Sequence, residues 1–362
     1  MAIRDLLIIG AGPSGLSAAV AAKRHGLDYQ VVEQGVLVNS IYRFPPQIVF
    51  FTTPELLEVG GLPFVSPYDK PTRPEALRYY RKVVDTYDLQ IAFDEKVLAV
   101  AREQHGPEES EEVFAIETET SRRVRRVRHA RYVIIAIGYF DRPNLLGVPG
   151  EDLPHVSHYY GEPYPYYRRR VVVVGGANSA AEWALDLFRA GAHVTLVHRA
   201  AELDATIKYW VRPDIENRIR EGSIAAHFNT CVSEIRPTSV SISYSRGAPP
   251  PLATAASPSL GLERRLSASG EGRETLEVPA DAVFLLTGYR ADTTLMREAG
   301  IVLTGREGPT YDRETFETNV PGLFVAGGAV AGVDTGTIFI ENGRFHGERI
   351  VQVIADRMGS RT

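Results

Sequence analysis

Two short glycine-rich loops, each set between an apolar run and an alanine-rich stretch, constrain this 362-residue chain more than any other feature. The first, Gly10-Ala11-Gly12-Pro13-Ser14-Gly15, follows the continuously apolar Leu6 to Ile9 and opens the segment Leu16 to Arg24. Tyr29 to Glu33 is apolar again, so the pattern reads strand, helix, strand. The second loop, Gly175-Gly176-Ala177-Asn178-Ser179-Ala180, follows Val171 to Val174 and precedes the helical Ala180 to Ala190 and a strand from His193 to His198. Two βαβ units in a chain of this length predict an α/β fold with parallel sheets and two cores.

The rest of the chain fits around these units. Thr72 to Tyr87 has a helical pattern, Val97 to Arg102 with Val113 to Thr118 reads as a hairpin, and Tyr132 to Ile137 is a buried strand stopping at Gly138. Ala225 to Ile235, Val240 to Tyr244 and Ala282 to Leu286 read as strands. The tail adds a strand from Gly322 to Ala326 and a helix from about Thr337 to Met358, with no glycine loop of its own. The expected architecture is therefore two Rossmann-like, three-layer dinucleotide-binding domains. One occupies 164–286; the other is split into 1–163 and 287–362 around it. A Ser-, Pro-, Ala- and Gly-rich segment at about 245–274 is expected as a loop inserted between two strands.

Composition excludes several classes. A net charge of -5 gives no positive field for nucleic acid or an anionic membrane. The basic run Arg122 to Arg131 reads as a solvated hairpin face leading into a buried strand. The one cysteine, Cys231, excludes a disulfide framework, a cysteine-rich metal site and an intramolecular redox dithiol, and it is expected to be buried and inert. No metal site is expected. Glycines interrupt the apolar Leu6 to Ala22, and no other run approaches the roughly 20 residues of a spanning helix, so a cytoplasmic protein is expected.

Each residue of the first loop has a physical task. Gly10 permits the tight turn, Gly12 admits a pyrophosphate to the backbone, and Gly15 lets helix and strand pack closely. The phosphates then meet free N–H groups at a helix N-terminus. Glu33 stands at the end of the next strand, where a carboxylate accepts hydrogen bonds from a ribose diol. The second loop keeps small residues at its spaced positions, and the following strand ends in His198 and Arg199 with no acid. Arg199 can pair with a 2′-phosphate, which favours NADPH over NADH.

Two such loops in this order, the strand ending Ala136-Ile137-Gly138, another ending Thr287-Gly288-Tyr289, and Thr318-Asn319-x-x-Gly322-Leu323-Phe324-Val325-Ala326-Gly327 resemble the thioredoxin-reductase-like flavoproteins. Ser40-Ile41-Tyr42, Phe50-Phe51, Ile207-Lys208-x-Trp210 and the run from Thr337 to Gly347 resemble, more narrowly, the YpdA-type bacillithiol disulfide reductases. That resemblance implies FAD at the first loop, through Gly10, Gly12, Pro13, Ser14, Gly15, Glu33 and Gln34, with Tyr42, Gly138, Gly327, Gly328, Thr337 and Ile338 bordering the cofactor. It implies NADPH at Gly175, Ala177, Asn178, Ser179, His198 and Arg199. It also implies a cytoplasmic oxidoreductase acting on a small-molecule disulfide, and a homo-oligomer is expected.

Two positions depart from the family. Ser14 stands where these reductases carry a cysteine in the first loop, and serine forms neither a mixed disulfide nor a sulfenic acid. Gly327-Gly328 stands where wider relatives carry Gly-Asp. His346 is a candidate proton donor near the flavin, and Glu341 and Asn342 are candidate contacts. Tyr42, Phe44, Phe50 and Phe51 are candidate walls for a flat ring. Without a thiol at position 14, transfer to a ferredoxin, flavodoxin or quinone stays open beside direct disulfide reduction, as does a non-catalytic nucleotide-binding sensor.

Overall fold

The computed structural model describes residues 3–105, 111–245 and 273–359. They fall into two compact units, one made of Met1–Arg142 and Tyr289–Thr362, the other of Pro143–Gly288.

In the first unit, the strands are β1 (Ile3–Ile9), β2 (Tyr29–Val32), β3 (Ile91–Ala92), β4 (Glu95–His105), β5 (Glu111–Thr120) and β6 (Arg125–Ile135); the helices are α1 (Pro13–Arg24), α2 (Asn39–Tyr42) and α3 (Arg73–Tyr87). After the second unit come α6 (Thr293–Glu298), β15 (Leu323–Val325) and α7 (Ile340–Gly359). The sheet runs β3-β2-β1-β6-β5-β4, and β15 also pairs with β6. β3, β2, β1, β6 and β15 are mutually parallel, while β4 and β5 form an antiparallel hairpin on β6. The unbroken apolar run of β1 follows from burial on both faces. Leu6 and Ile8 enter the core beneath α1, α3 and α7, and Leu7 and Ile9 enter a second core on the opposite face.

The helix α3 starts where Glu75 accepts from both the backbone N–H and the hydroxyl of Thr72, and it buries Ala76, Tyr79, Tyr80 and Val83 at helical spacing. The last helix begins at Ile340, three residues later than expected. Asn342 accepts from Phe339 N–H and donates to the Thr337 carbonyl, which holds 337–339 as a turn.

The second unit contains β7 (Val156–Ser157), β8 (Arg170–Val174), α4 (Asn178–Arg189), β9 (His193–Val197), α5 (Arg212–Arg220), β10 (Ala225–His227), β11 (Thr230–Arg236), β12 (Ser239–Ser245), β13 (Arg273–Pro279) and β14 (Ala282–Leu285). A parallel sheet β10-β9-β8-β14-β7 accompanies an antiparallel sheet β11-β12-β13. Residues 143–163, expected with the first domain, supply β7 to this parallel sheet. The expected single strand 225–235 is two strands in different sheets, because Asn229 turns the chain at φ +51°. That break sets Cys231 on the outward face of β11, where it is exposed, between the buried Thr230 and Val232. The expectation of a buried cysteine is corrected accordingly. The expected inserted loop lies mostly at 246–272, outside the described residues. No described helix is long and apolar enough to cross a membrane, and the described residues hold no cluster of metal-ligating side chains.

Candidate functional site

The first glycine loop is fixed by close backbone approaches. Gly10 has φ +106°, and a Cβ there would lie 2.5 Å from the Ala136 carbonyl oxygen, where β6 ends. A Cβ on Gly15 would strike the Gly10 carbonyl, so α1 can pack this tightly only with glycine at that position. Gly12 differs: its missing Cβ would meet nothing within 4 Å, which leaves bare backbone open to a ligand. Gly12 is also the N-cap of α1, with no side-chain cap, and Pro13 occupies the first turn, where a missing N–H costs nothing. The free amides and the helix dipole together favour an anion.

Glu33 closes one side of the loop. Its carboxylate accepts from Ala11 N–H at 2.8 Å and from Gly35 N–H at 2.9 Å, and the residue is buried. Burial raises its pKa against the pull of those two hydrogen bonds. Each oxygen keeps a further lone pair for a ribose hydroxyl. Gln34 donates to Asp141, which also pairs with Arg43.

A cavity of about 440 Å³ opens above the loop. Gly10, Gly12, Pro13 and Ser14 line it, as do Glu33 and Gln34 on one side and Gly138, Gly328 and Ile338 elsewhere on its wall. This fits a dinucleotide: an anion seat, a carboxylate beside it and a largely apolar remainder. Of the four aromatic candidates only Phe44 lines the cavity, packing edge-on to Phe140. Phe50 is core, Phe51 is exposed, and Tyr42 is exposed with its ring against Arg73. Tyr42 lies outside the cavity wall because α2 presents Asn39, Ser40 and Ile41 to it instead. Thr337 is likewise exposed and spends its hydroxyl on the Asp334 carbonyl.

Position 14 is a packing junction. The Ser14 hydroxyl donates to the Gly343 carbonyl of α7 at 3.0 Å. Gly327, at φ +61°, faces the same side chain; a Cβ there would lie 2.8 Å from the Ser14 Cβ. His346 belongs to this junction and not to the cavity wall. It is buried, its Nδ1 accepts from Gly327 N–H at 3.1 Å, and its ring stacks on Phe316. Burial lowers its pKa to about 4, so at neutral pH it is an uncharged acceptor that holds the Gly327 turn, in place of the expected proton donor. Asn342 is committed to the turn before α7, as described above.

Tyr139, Phe140, Arg142, Arg290 and Asp292 also line the cavity and were not among the expected site residues. The aromatic pair directly after Gly138 was the available signal. Arg142 and Asp292 form an ion pair across 150 residues of chain, which no local pattern reveals.

In the second unit, Gly175 has φ +146°, and a Cβ there would lie 2.5 Å from the Leu286 carbonyl oxygen. Ala177 caps α4, and the His198 ring lies against Gly176 where any side chain would stand. Burial and then the neighbouring Arg199 lower the His198 pKa. Arg199 is exposed. The Asn178 amide binds elsewhere than expected, donating to the Thr206 carbonyl and accepting from Lys208 N–H, so it anchors the 204–208 loop. Asp204 N–H donates to the Gly176 carbonyl, and the buried Lys208 ammonium pairs with Glu182 of α4, which fastens the same loop to the glycine turn.

The family model for pyridine nucleotide-disulphide oxidoreductases matches residues 7–250 and 263–327. Bacilliredoxin reductase Bdr of Bacillus subtilis (strain 168) is 40% identical over 97% of each chain. The structure of bacillithiol disulfide reductase Bdr (YpdA) from Bacillus cereus matches with a TM-score of 0.86 at 36% identity, covering 98% of this chain and 100% of that one. A ferredoxin–NADP reductase of Ignicoccus hospitalis is 26% identical over 90% of each chain. On this coverage and identity the chain belongs to the pyridine nucleotide-disulphide oxidoreductase family, among the bacillithiol disulfide reductases, and is an oxidoreductase that uses FAD and NADPH.

Proposed function

We propose that the protein catalyses NADPH + H⁺ + RSSR → NADP⁺ + 2 RSH, where RSSR is the disulfide of a low-molecular-weight thiol of the bacillithiol kind. The observation that carries this reading is the cavity over the first loop, with bare Gly12 backbone beside a buried carboxylate. The name of the Bacillus cereus relative, a bacillithiol disulfide reductase, supports the substrate class. The two cofactors, once bound, supply the two-electron chemistry. Gly12 and the start of α1 hold the pyrophosphate of FAD, Glu33 takes its ribose, and Gly138, Gly328 and Ile338 border its other half. Gly175, Ala177 and Ser179 receive NADPH, with Arg199 on the 2′-phosphate and His198 against the loop. Ser14 orients α1 against α7 and takes no electrons. A cytoplasmic location, where thiols stay reduced, belongs to this reading.

The serine at position 14, hydrogen-bonded to Gly343, favours one alternative: reduction of a ferredoxin, flavodoxin or quinone, which needs no protein thiol. An acceptor screen following NADPH oxidation separates the two, run on the wild type and on Ser14→Cys. Disulfide turnover by the wild type supports the first reading. Turnover with carriers or quinones alone supports the second, as does disulfide turnover gained only by Ser14→Cys. Flavin that binds but is not reduced by NADPH refutes both.

A further inference from the structure

We infer that Tyr139 contacts the cofactor directly, its hydroxyl hydrogen-bonding the flavin half of FAD from a ring seat that Gly328 leaves open. The inference rests on the first unit being the FAD site. The strands β2, β1, β6 and β15 are neighbours in that order, and their C-terminal ends carry Glu33, the Gly10 loop, Tyr139 and Gly328 respectively. With the pyrophosphate on the loop and the adenosine ribose on Glu33, the other half of the dinucleotide must extend towards β6 and β15. Tyr139 and Gly328 line the cavity on that side.

The two residues fit each other. A Cβ on Gly328 would lie 2.6 Å from Tyr139 Cδ1 and 2.9 Å from Cε1, so one edge of the ring occupies the space a side chain would take there. Gly328 is not among the residues at positive φ, so the backbone does not demand glycine there and the ring does. Ring packing alone would be served by phenylalanine. The hydroxyl of the half-buried Tyr139 makes no hydrogen bond among the described residues and is not enclosed by protein, so it is open to an atom placed in the cavity it lines. Burial, and then the charge of Glu341, raise its pKa, so it stays a neutral donor and acceptor. A ligand atom in the cavity is the partner this hydroxyl lacks.

The test titrates apoprotein with FAD and, separately, with ADP, following quenching of flavin fluorescence for the first and calorimetry for the second. Tyr139→Phe is expected to weaken FAD about 3- to 10-fold, the worth of one hydrogen bond, and to shift the visible flavin band, while ADP affinity stays unchanged because ADP fills only the Glu33 side. Gly328→Ala should also weaken FAD, and that loss should vanish in a Tyr139→Ala background. Equal FAD affinity and an identical spectrum for Tyr139→Phe would overturn the contact, as would an equal loss of ADP affinity. A Gly328→Ala penalty that persists without the ring would overturn the ring seat. Wild-type apoprotein that binds ADP but no FAD would overturn the flavin reading beneath both.

Discussion

Substituting Gly347 by alanine sets two effects of opposite sign against each other. Gly347 lies inside α7, where alanine is intrinsically better than glycine by about 1 kcal/mol. The added methyl, however, would lie 2.7 Å from the Ser14 carbonyl oxygen and closer still to Ala18 N of α1, where ordinary contact begins at 3.4 Å. The shortfall, 0.7 Å at the Ser14 oxygen and more at Ala18 N, is against helix backbone, which cannot rotate aside as a side chain does, so α7 must move off α1. Ile350, Val351 and Ile354 of α7 are fully buried in the same core and would lose packing with it. Overpacking of this kind costs roughly 1–3 kcal/mol, and its upper end applies here. The net destabilisation is then about 1–2 kcal/mol, or a fall in Tm of about 2–8 °C for a unit of this size. Gly343→Ala is the matched control: its methyl would lie 3.2 Å from Gly327 Cα and 3.4 Å from the Ile338 side chain, gaps that small shifts relieve. Thermal and urea melts of both variants read the difference. A Gly347→Ala protein as stable as the wild type, or more so, would refute the claim that the α1–α7 crossing requires glycine.

Removing Arg199 by Arg199→Ala is expected to raise KM for NADPH by roughly 10- to 100-fold, the worth of a charged hydrogen bond, and to leave KM for NADH nearly unchanged; equal effects would remove the 2′-phosphate assignment. For His346 the folded pKa of about 4 lies below the ordinary 6.5, so the unfolded chain takes the proton first. Its contribution is whole above pH 6.5 and is lost as pH falls towards 4, at up to about 1.4 kcal/mol per pH unit. His346→Asn should flatten that part of a Tm-against-pH profile, and an unchanged slope would contradict the burial argument. Lys208→Met leaves the Glu182 carboxylate without its buried partner and is expected to cost about 3 kcal/mol in urea melts, with most of it restored in Lys208→Met/Glu182→Leu. A double variant no more stable than the single would mean that Lys208 acts through other contacts.

What could be read in advance was what local chemistry determines. β1, the glycine loop and α1 were visible because a strand buried on both faces leaves an unbroken apolar run, and because the turn after it tolerates only glycine at Gly10 and Gly15. The two-residue strand β7 carries no period, so the boundary near 143 was invisible. The run 225–235 looked like one strand because a single Asn229 at positive φ splits it, and the split decides which way Cys231 points. Whether His346 is a proton donor or a hydrogen-bonded structural histidine is open in the sequence for a different reason. Its partners, Phe316 and the Gly327 N–H, lie 30 and 19 residues away, and histidine in a helix does not announce which long-range contact will bury it.

Ser14 stands where α1, the Gly327 turn and α7 meet. Its neighbours are backbone: the Gly327 turn, the Gly343 carbonyl, and through Gly347 the whole of α7. The run from Thr337 to Gly347, on which the resemblance to the bacillithiol disulfide reductases rests, therefore contains the glycines that pack against position 14. A serine there keeps the packing and gains a good donor to the Gly343 carbonyl, whereas a thiol in the same place is a weak donor. The surroundings of position 14 are thus backbone and glycine, and the side chain there carries no thiol. The one cysteine, Cys231, lies in the second unit on an outward, exposed face of β11. Position 14 itself offers a hydroxyl already bonded to Gly343, which cannot enter thiol–disulfide exchange.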